Sequence, residues 1–219
     1  MKNGLKDPEV KETLVRVHEY FKRFLFKEEG PDKWDWTDNH KEVFKQFVFY
    51  LNNDKTKSDW DLNKGVILSG PNGTGKSTYM KFFSLLSKQM YPRGHKKRFS
   101  MVECRMITDH VEAVGDASYL HNFYRPTENS SFAFNEIGKE KYINNFGNKI
   151  YPIEQILVNR FDRRLLVFGT TNLSHDKTGR SDIFEKYGSD LDSRFHLCNY
   201  INLTGSLGAN NRFKDYRVK

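Results

Sequence analysis

The chain has 219 residues, with 36 lysines and arginines against 28 aspartates and glutamates and a formal net charge of +8. This length fits one core domain with an appendage, and the charge suits either a polyanionic partner such as nucleic acid or a plain basic surface. Cys104 and Cys198 lack metal-ligand spacing and cannot build a disulfide framework, which indicates a reducing, cytoplasmic setting. No apolar segment is long enough for a signal peptide or a membrane span.

Residues 1–63 are predicted to form a helical region ahead of the core. A first helix starts at Asp7-Pro8, where an acidic cap precedes a proline, and stops at Glu29-Gly30-Pro31. A second helix runs from Thr37 or Asp38 to Leu51, with apolar residues at helical spacing. Packing is the more frequent role for aromatic side chains in such a region, although they can also stack on bases. The region holds all three tryptophans, Trp34, Trp36 and Trp60.

The core, residues 64–219, opens with the segment Gly65–Thr78, which reads GVILSGPNGTGKST. A short apolar strand leads into a complete G-x-x-x-x-G-K-[ST] motif, and helix-forming sequence follows it. Glycines let successive N–H groups turn inward around an anion, and the helix N-terminus adds positive charge. Lys76 would reach the β- and γ-phosphates, and Ser77 would ligate Mg²⁺. The motif predicts ATP and Mg²⁺ as ligands, bound by Gly70, Pro71, Asn72, Gly73, Thr74, Gly75, Lys76, Ser77 and Thr78.

A basic run, His95–Arg98, follows the predicted helix Lys76–Tyr91 and leads into a predicted strand, Phe99–Val102. Such a run is usually a solvated turn, but it could contact a nucleic-acid backbone. Residues 105–125 are predicted to be irregularly helical.

The stretch Ser131–Glu136 predicts a second part of the nucleotide site. It is an apolar strand with a polar end, at the distance from the first motif where P-loop ATPases place their metal-holding and water-activating groups. Glu136 occupies the position of a general base for the attacking water. Asn135 occupies the position that normally holds an aspartate at the metal, and its amide brings no negative charge. An ordinary buried strand with a polar end is the alternative interpretation.

Further elements complete an alternating pattern of strands and helices. A helix is predicted over Pro152–Phe161 and a strand over Arg164–Asn172, with Thr171 and Asn172 at its tip. The carboxyl ends of parallel strands gather ligands, so these two residues are expected beside Glu136. Helical pieces and a last strand, Asn199–Leu203, follow, and too little sequence remains for a separate helical lid domain.

These motifs, taken together from Val43 to Arg212, resemble the AAA+ ATPases of the helicase-loader and transposition-helper group, the DnaC- and IstB-like proteins. The features that carry the resemblance are the P-loop, the Phe132–Glu136 strand, Thr170-Thr171-Asn172, and Tyr187-Gly188 followed by Ser193-Arg194. The resemblance implies a three-layer α/β core with a five-strand parallel sheet, an N-terminal helical region and no separate lid domain.

The resemblance also implies roles for three residues. Asn172 matches the sensor residue that helps hold the attacking water. Arg194 matches the arginine finger that acts on the nucleotide of a neighbouring subunit, which implies a homo-oligomer. Arg212 matches the group's second sensor arginine only loosely, because a Gly-Ala-Asn-Asn insertion precedes it.

The function predicted on this basis is that of an ATP-dependent DNA-replication factor of the helicase-loader type. It would assemble on single-stranded DNA or on a replicative helicase. Slow hydrolysis is expected because Asn135 replaces an acid. The alternatives are a transposition helper whose partner is a transposase, a superfamily-three-type helicase, a small-molecule kinase, and a switch that binds nucleotide without turning it over.

Overall fold

The structure, a computed structural model, describes residues 8–28, 37–115, 117–124, 131–145, 148–175 and 181–204. The α-helices of this part are α1 (Pro8–Glu28), α2 (Asp38–Leu51), α3 (Lys76–Met90), α4 (Cys104–Val114), α5 (His121–Tyr124), α6 (Pro152–Asp162), α7 (Asp182–Tyr187) and α8 (Ser189–Arg194). The strands are β1 (Gly65–Ser69), β2 (Phe99–Glu103), β3 (Ser131–Ile137), β4 (Ile143–Asn145), β5 (Asn148–Ile150), β6 (Val167–Thr171) and β7 (Cys198–Asn202). Short 3₁₀ helices cover Ala117–Leu120 and Phe195–Leu197.

The described residues fall into two compact units. The first contains residues 8–28, 37–62, 71–75 and 203–204, and the second contains the described residues of 63–70 and 76–202. The first unit is helical, as its sequence pattern predicts. Thr37 caps α2, because its hydroxyl accepts a hydrogen bond from the backbone N–H of His40.

Aromatic side chains form the core of the first unit. The rings of Phe21 in α1 and Phe44 in α2 lie 5.4 Å apart, and Phe21 is completely buried. Trp60 packs edge-on against Phe47 at 5.3 Å between ring centroids, so this tryptophan has a packing role. Trp34 and Trp36 lie outside the described residues.

The second unit is built on a five-strand sheet in the order β2-β3-β6-β1-β7, in which every neighbouring pair is parallel. All residues of β1 and β6 are buried, as is usual for inner strands covered on both faces. Parallel strands need crossover connections, and helices supply them here. The prediction of a five-strand parallel sheet in an α/β core is therefore confirmed.

Apolar side chains from the sheet and its helices form one core in this unit. The strands contribute Ile67, Phe134 and Val167, and the helices contribute residues such as Ile156 and Leu191. The rings of Phe99 in β2 and Phe168 in β6 stack with their centroids 4.2 Å apart, although β3 separates these two strands in the sheet. The helix α6 starts at Pro152 as predicted, since proline suits the first helical position.

Locally, the structure confirms one prediction, corrects another and adds an element that was not predicted. The irregular helical region predicted over residues 105–125 is confirmed for the described residues, as α4, which starts at Cys104, a 3₁₀ turn and the single-turn helix α5. The strand β3 runs one residue further than Glu136, through a register shift between Phe134 and Ile137. The antiparallel hairpin β4–β5 was not predicted, because strands of three residues carry almost no periodic signal.

A buried arginine joins separate parts of the second unit. Arg160 in α6 is completely buried, and its Nη1 and Nη2 donate to the carbonyl oxygens of Phe123 (2.9 Å) and Leu166 (3.1 Å). Its guanidinium also lies 5.5 Å from the ring centroid of Phe132. Burial lowers the pKa of Arg160 to about 10, so the side chain stays charged at neutral pH. Arg160 thereby connects the end of α5 to the start of β6.

We expect Arg160→Met to lower the free energy of unfolding by about 1–3 kcal/mol, because two carbonyl groups lose their donors while the side-chain volume is kept. Urea unfolding measures this change. Arg163→Met is the matched control, since Arg163 is exposed, and it should change stability by less than about 0.5 kcal/mol. Equal stability of Arg160→Met and the wild type would mean that relief of guanidinium desolvation offsets the lost hydrogen bonds.

Candidate functional site

The Walker A segment, which is the G-x-x-x-x-G-K-[ST] motif at Gly70–Ser77, has the backbone that an anion-binding loop requires. Gly73 and Gly75 adopt φ angles of 78° and 80°, a region in which a side chain would be strained. Within the first unit, the hydroxyl of Thr74 donates to the carbonyl oxygen of Pro71 at 3.0 Å and closes the turn. The loop is followed directly by the first residue of α3, Lys76.

A histidine of α2 supports this loop. His40 is 1% exposed, and its Nε2 lies 3.1 Å from the carbonyl oxygen of Thr74. A carbonyl can only accept, so Nε2 carries the proton, and in the neutral ring Nδ1 then accepts from the hydroxyl of Thr37 at 2.7 Å. One chain of hydrogen bonds thus runs from the cap of α2 to the loop.

In the second unit, α3 presents Lys76 and Ser77. The Nζ of Lys76 donates to the carbonyl oxygen of Gly70 at 2.7 Å, and this residue is only 7% exposed. The hydroxyl of Ser77 donates to Oδ1 of Asn135 at 2.8 Å. The sequence predicts these two residues beside Asn135, and the fold brings Ser77 into contact with it.

Asn135, near the end of β3, is the centre of a polar network. Its Oδ1 accepts from Ser77 and also from the hydroxyl of Thr170 in β6, at 2.7 Å. Its Nδ2 donates to both carboxylate oxygens of Glu103, at 3.0 and 2.9 Å. Glu103 ends β2 and is the register partner of Asn135 in the sheet. Side chains from β2, β3, β6 and α3 therefore meet at one amide.

Glu136 follows in a strained conformation. Its φ of 60° lies in the left-handed region, at the register shift between β3 and β6. Its backbone N–H donates to the hydroxyl of Thr170 at 2.9 Å. Its carboxylate is 41% exposed and accepts from Nζ of Lys139 at 2.5 Å. Strain of this kind concentrates at functional sites.

At the carboxyl end of β6, Thr170 makes the contacts that the sequence predicts for Thr171. Thr171 is buried and its hydroxyl donates to the carbonyl oxygen of Ile137 at 2.8 Å, which ties β6 to β3. Its neighbour Thr170 contacts Asn135 and Glu136 instead. Asn172 is exposed just beyond the strand. Arg212 lies outside the described residues.

Arg194 lies at the end of α8 in a group of carboxylates. Its Nε and Nη2 donate to Oδ1 of Asp162 at 3.1 and 3.0 Å, and its Nη1 pairs with the carboxylate of Asp190. Hydrogen bonds to Asp190 and Asp162 raise the pKa of Arg194. Within one chain the positive charge of Arg194 is thus already paired.

The residues around Asn135 suit a magnesium ion. Mg²⁺ prefers oxygen ligands and usually keeps several waters. The hydroxyl of Ser77, the amide oxygen of Asn135 and the carboxylate of Glu103 supply oxygen atoms within one hydrogen-bonded group. This donor set fits the ion that P-loop proteins place beside the phosphates.

The basic run His95–Arg98 is largely engaged within its own turn. His95 stacks on Tyr91 at 3.9 Å, and Arg98 donates to the carbonyl oxygens of Lys88 and Tyr91. Lys97 is completely buried, and burial lowers its pKa to about 8. Of this run, Lys96 is the exposed member.

A second basic surface lies beside the β4–β5 hairpin, and we call it the Tyr142 groove. Tyr142 is 44% exposed, and Nζ of Lys149 lies 4.7 Å from its ring centroid. The ring of Tyr151 meets that of Tyr142 edge-on at 6.2 Å, and Nζ of Lys186 lies 5.0 Å from the Tyr151 centroid. The groove is lined by Glu140, Lys141, Tyr142, Asn144, Tyr151 and Lys186.

Sequence reasoning missed three residues of the site: Glu103, Thr170 and His40. Glu103 and Thr170 come into play only through the register of neighbouring strands, which no local pattern reveals. His40 carries a weak signal, because a histidine three residues after a helix-capping threonine is compatible with a hydrogen bond to the cap.

The parallel sheet, with β1 between β6 and β7, and the Walker A segment that follows β1 together give an α/β fold of the P-loop NTPase type. Among the described residues, no helix combines the length and apolarity needed to cross a bilayer.

Solved structures carry the same fold. The chain is similar to the crystal structure of the DnaC helicase loader, with a TM-score of 0.57 over 84% of this chain and 99% of that chain, at 14% sequence identity. It is similar to the crystal structure of DnaI, with a TM-score of 0.50 over 80% of this chain and 86% of that chain, at 15% identity. No protein-family model and no curated protein matches the sequence. The predicted resemblance to the DnaC-like group is confirmed at the level of the fold.

Proposed function

We propose that this protein binds ATP with Mg²⁺ and hydrolyses it slowly, as a cytoplasmic helicase-loader-type factor of DNA replication. The observation that carries this proposal is the contact of Ser77 with Asn135, beside Lys76 and Glu136. It joins the two motifs of a P-loop ATPase, which are separated by 58 residues in the chain. The likeness to the DnaC helicase loader supports the role in replication.

Each residue has a defined task in this proposal. The backbone N–H groups of Gly70–Thr78, except at Pro71, which has none, and the Nζ of Lys76 hold the phosphates. Lys76 exchanges its contact with the Gly70 carbonyl for phosphate oxygens. Glu136 accepts a proton from the attacking water, and Asn172 orients that water. When bound, Mg²⁺ neutralises charge on the phosphates, and Ser77 and Asn135 are the residues that would hold it.

Two features slow the chemistry. Asn135 has no negative charge of its own, and Glu136 is paired with Lys139, which must release it before it can act as a base. A switch that binds ATP without turnover is thus the second candidate function, and the same two features favour it.

We expect Lys76→Ala to abolish ATP binding and Glu136→Gln to keep ATP binding while lowering turnover by about 10²–10⁴-fold, the usual contribution of a general base. Isothermal titration and phosphate release measure these two effects. Lys55→Ala and Glu112→Gln, at exposed positions, serve as matched controls. Turnover equal in wild type and Glu136→Gln would contradict the base assignment, and ATP binding without any turnover would establish the switch.

The nucleotide site would be completed by a second copy of the chain. A guanidinium from a neighbouring subunit neutralises charge that develops on the transferred phosphoryl group. Arg194 fits this task, since it lies at a helix end and is held by the exposed carboxylates of Asp162 and Asp190 and by the Asp190 carbonyl oxygen. Assembly would move it from these carboxylates to the phosphate of the adjacent subunit.

We expect Arg194→Ala to leave ATP affinity unchanged and to lower the assembly-dependent part of turnover by about 10³-fold or more. The measurement is turnover as a function of protein concentration. Arg163→Ala is the control, because Arg163 is an exposed arginine just after the end of α6. A rate that rises with concentration equally in Arg194→Ala and the wild type would refute the finger assignment.

Single-stranded DNA is the proposed polyanion, and the Tyr142 groove is the proposed contact surface. Proteins that bind single strands without sequence preference combine cations that follow the backbone with aromatic rings on which bases stack. The groove offers an exposed ring, Tyr142, and the cation Lys186, and Lys149 lies beside it against the Tyr142 ring. The protein partner would be a replicative helicase or, in a transposition helper, a transposase.

We expect Tyr142→Ala to weaken binding of an oligothymidine by about 1–3 kcal/mol, the value of one base–aromatic stack. Lys149→Ala should lower the slope of log affinity against log salt by about 0.7, the value for one phosphate contact on a single strand. Fluorescence anisotropy measures both effects. Lys96→Ala is the control, because it removes the exposed lysine of the other basic run. Loss of binding in Lys96→Ala alone would place the DNA on that run instead.

A further inference from the structure

The carboxylate of Glu103 contacts Asn135 and does not cap helix α4. Glu103 is the N-cap residue of α4, a position at which a side-chain oxygen can accept from the first N–H groups of the helix. Its side chain makes no such capping bond. Both of its oxygens instead accept from Nδ2 of Asn135, at 3.0 and 2.9 Å.

This contact fixes the orientation of the amide. Nδ2 faces Glu103, so Oδ1 faces the opposite way, toward the hydroxyls of Ser77 and Thr170 at 2.8 and 2.7 Å. Asn135 is only 6% exposed, and reversing the amide would set Oδ1 against a carboxylate. The oxygen that an asparagine can offer to a metal or its waters is therefore held on the side of Ser77.

The contact also places a negative charge next to the amide. A hydrogen bond to an ionised acceptor is stronger than a neutral one, and hydrogen bonds in series polarise one another. The amide oxygen gains electron density when the amide nitrogen donates to a carboxylate. Asn135 and Glu103 together carry the negative charge that an aspartate at position 135 would carry. The charge lies on Glu103, one hydrogen bond away from position 135.

We propose that Glu103 is a positioning residue of the Mg²⁺ site, which supplies through Asn135 the negative charge that the asparagine lacks. The role rests on the proposed nucleotide site. Glu103 acts through the amide, which it orients and polarises toward Ser77. Groups that orient a metal's ligands typically contribute 10–100-fold to metal affinity.

The experiment measures metal affinity separately from nucleotide affinity. Binding of Mn²⁺, which takes the same oxygen ligands as Mg²⁺, is followed by its EPR signal in the full chain saturated with ATP, and ATP affinity is measured in EDTA. The variants are Glu103→Gln, Asn135→Asp and the double variant, with Glu112→Gln, an exposed acid of α4, as the control.

Glu103→Gln should weaken Mn²⁺ binding by about 10–100-fold and leave ATP affinity in EDTA unchanged. The double variant, which moves the charge from position 103 to position 135, should recover most of this loss. The double variant again pairs a carboxylate with an amide. Recovery of Mn²⁺ binding in it would therefore show that the loss in Glu103→Gln does not come from a folding defect.

The proposal is overturned if Glu103→Gln binds Mn²⁺ as tightly as the wild type, or if the double variant binds no better than a destabilised Glu103→Gln. If the wild type binds ATP normally and Glu103→Gln binds Mn²⁺ as tightly as the wild type, only the role of Glu103 is contradicted. Wild-type protein that binds no ATP, with or without metal, contradicts the proposed function and this role together.

Discussion

The second unit depends on one buried amide being satisfied on both of its sides. Asn135 takes two donors at its oxygen and gives its nitrogen to a carboxylate, so no polar atom of the side chain remains without a partner. A buried network is stabilising only when it is complete, because an unmatched polar group costs as much as several good contacts return. The ends of β2, β3 and β6 and the first turn of α3 are held in mutual position by this requirement.

The strained backbone of Glu136, next to this amide, is held by the same hydrogen-bond network. Glu136 adopts a left-handed φ and the ladder between β3 and β6 shifts register, yet Thr170 accepts the Glu136 N–H and donates to Asn135. One threonine hydroxyl therefore compensates the broken ladder and completes the network. The strain turns the Glu136 carboxylate toward solvent, while Asn135 remains buried.

The sequence predicts those parts of the fold whose signal is local. Apolar strands such as β1 and the proline-started helix α6 follow from periodicity, and the Walker A loop follows from one contiguous motif. The contact of Glu103 with Asn135 spans 32 residues and exists only through strand register, so no window of sequence contains it. The sequence also does not reveal that Thr170, and not Thr171, contacts Asn135. Neighbouring residues of a strand point to opposite faces of the sheet, so an error of one residue changes the contact.

The hydrogen bond from His40 to the Thr74 carbonyl makes α2 and the phosphate loop mechanically continuous. Its length of 3.1 Å leaves little slack, since such bonds weaken steeply when stretched or bent. The loop itself contains three glycines at positive φ, Gly70, Gly73 and Gly75, a conformation that other residues rarely adopt. A displacement of α2 is therefore transmitted to the Thr74 peptide through this hydrogen bond.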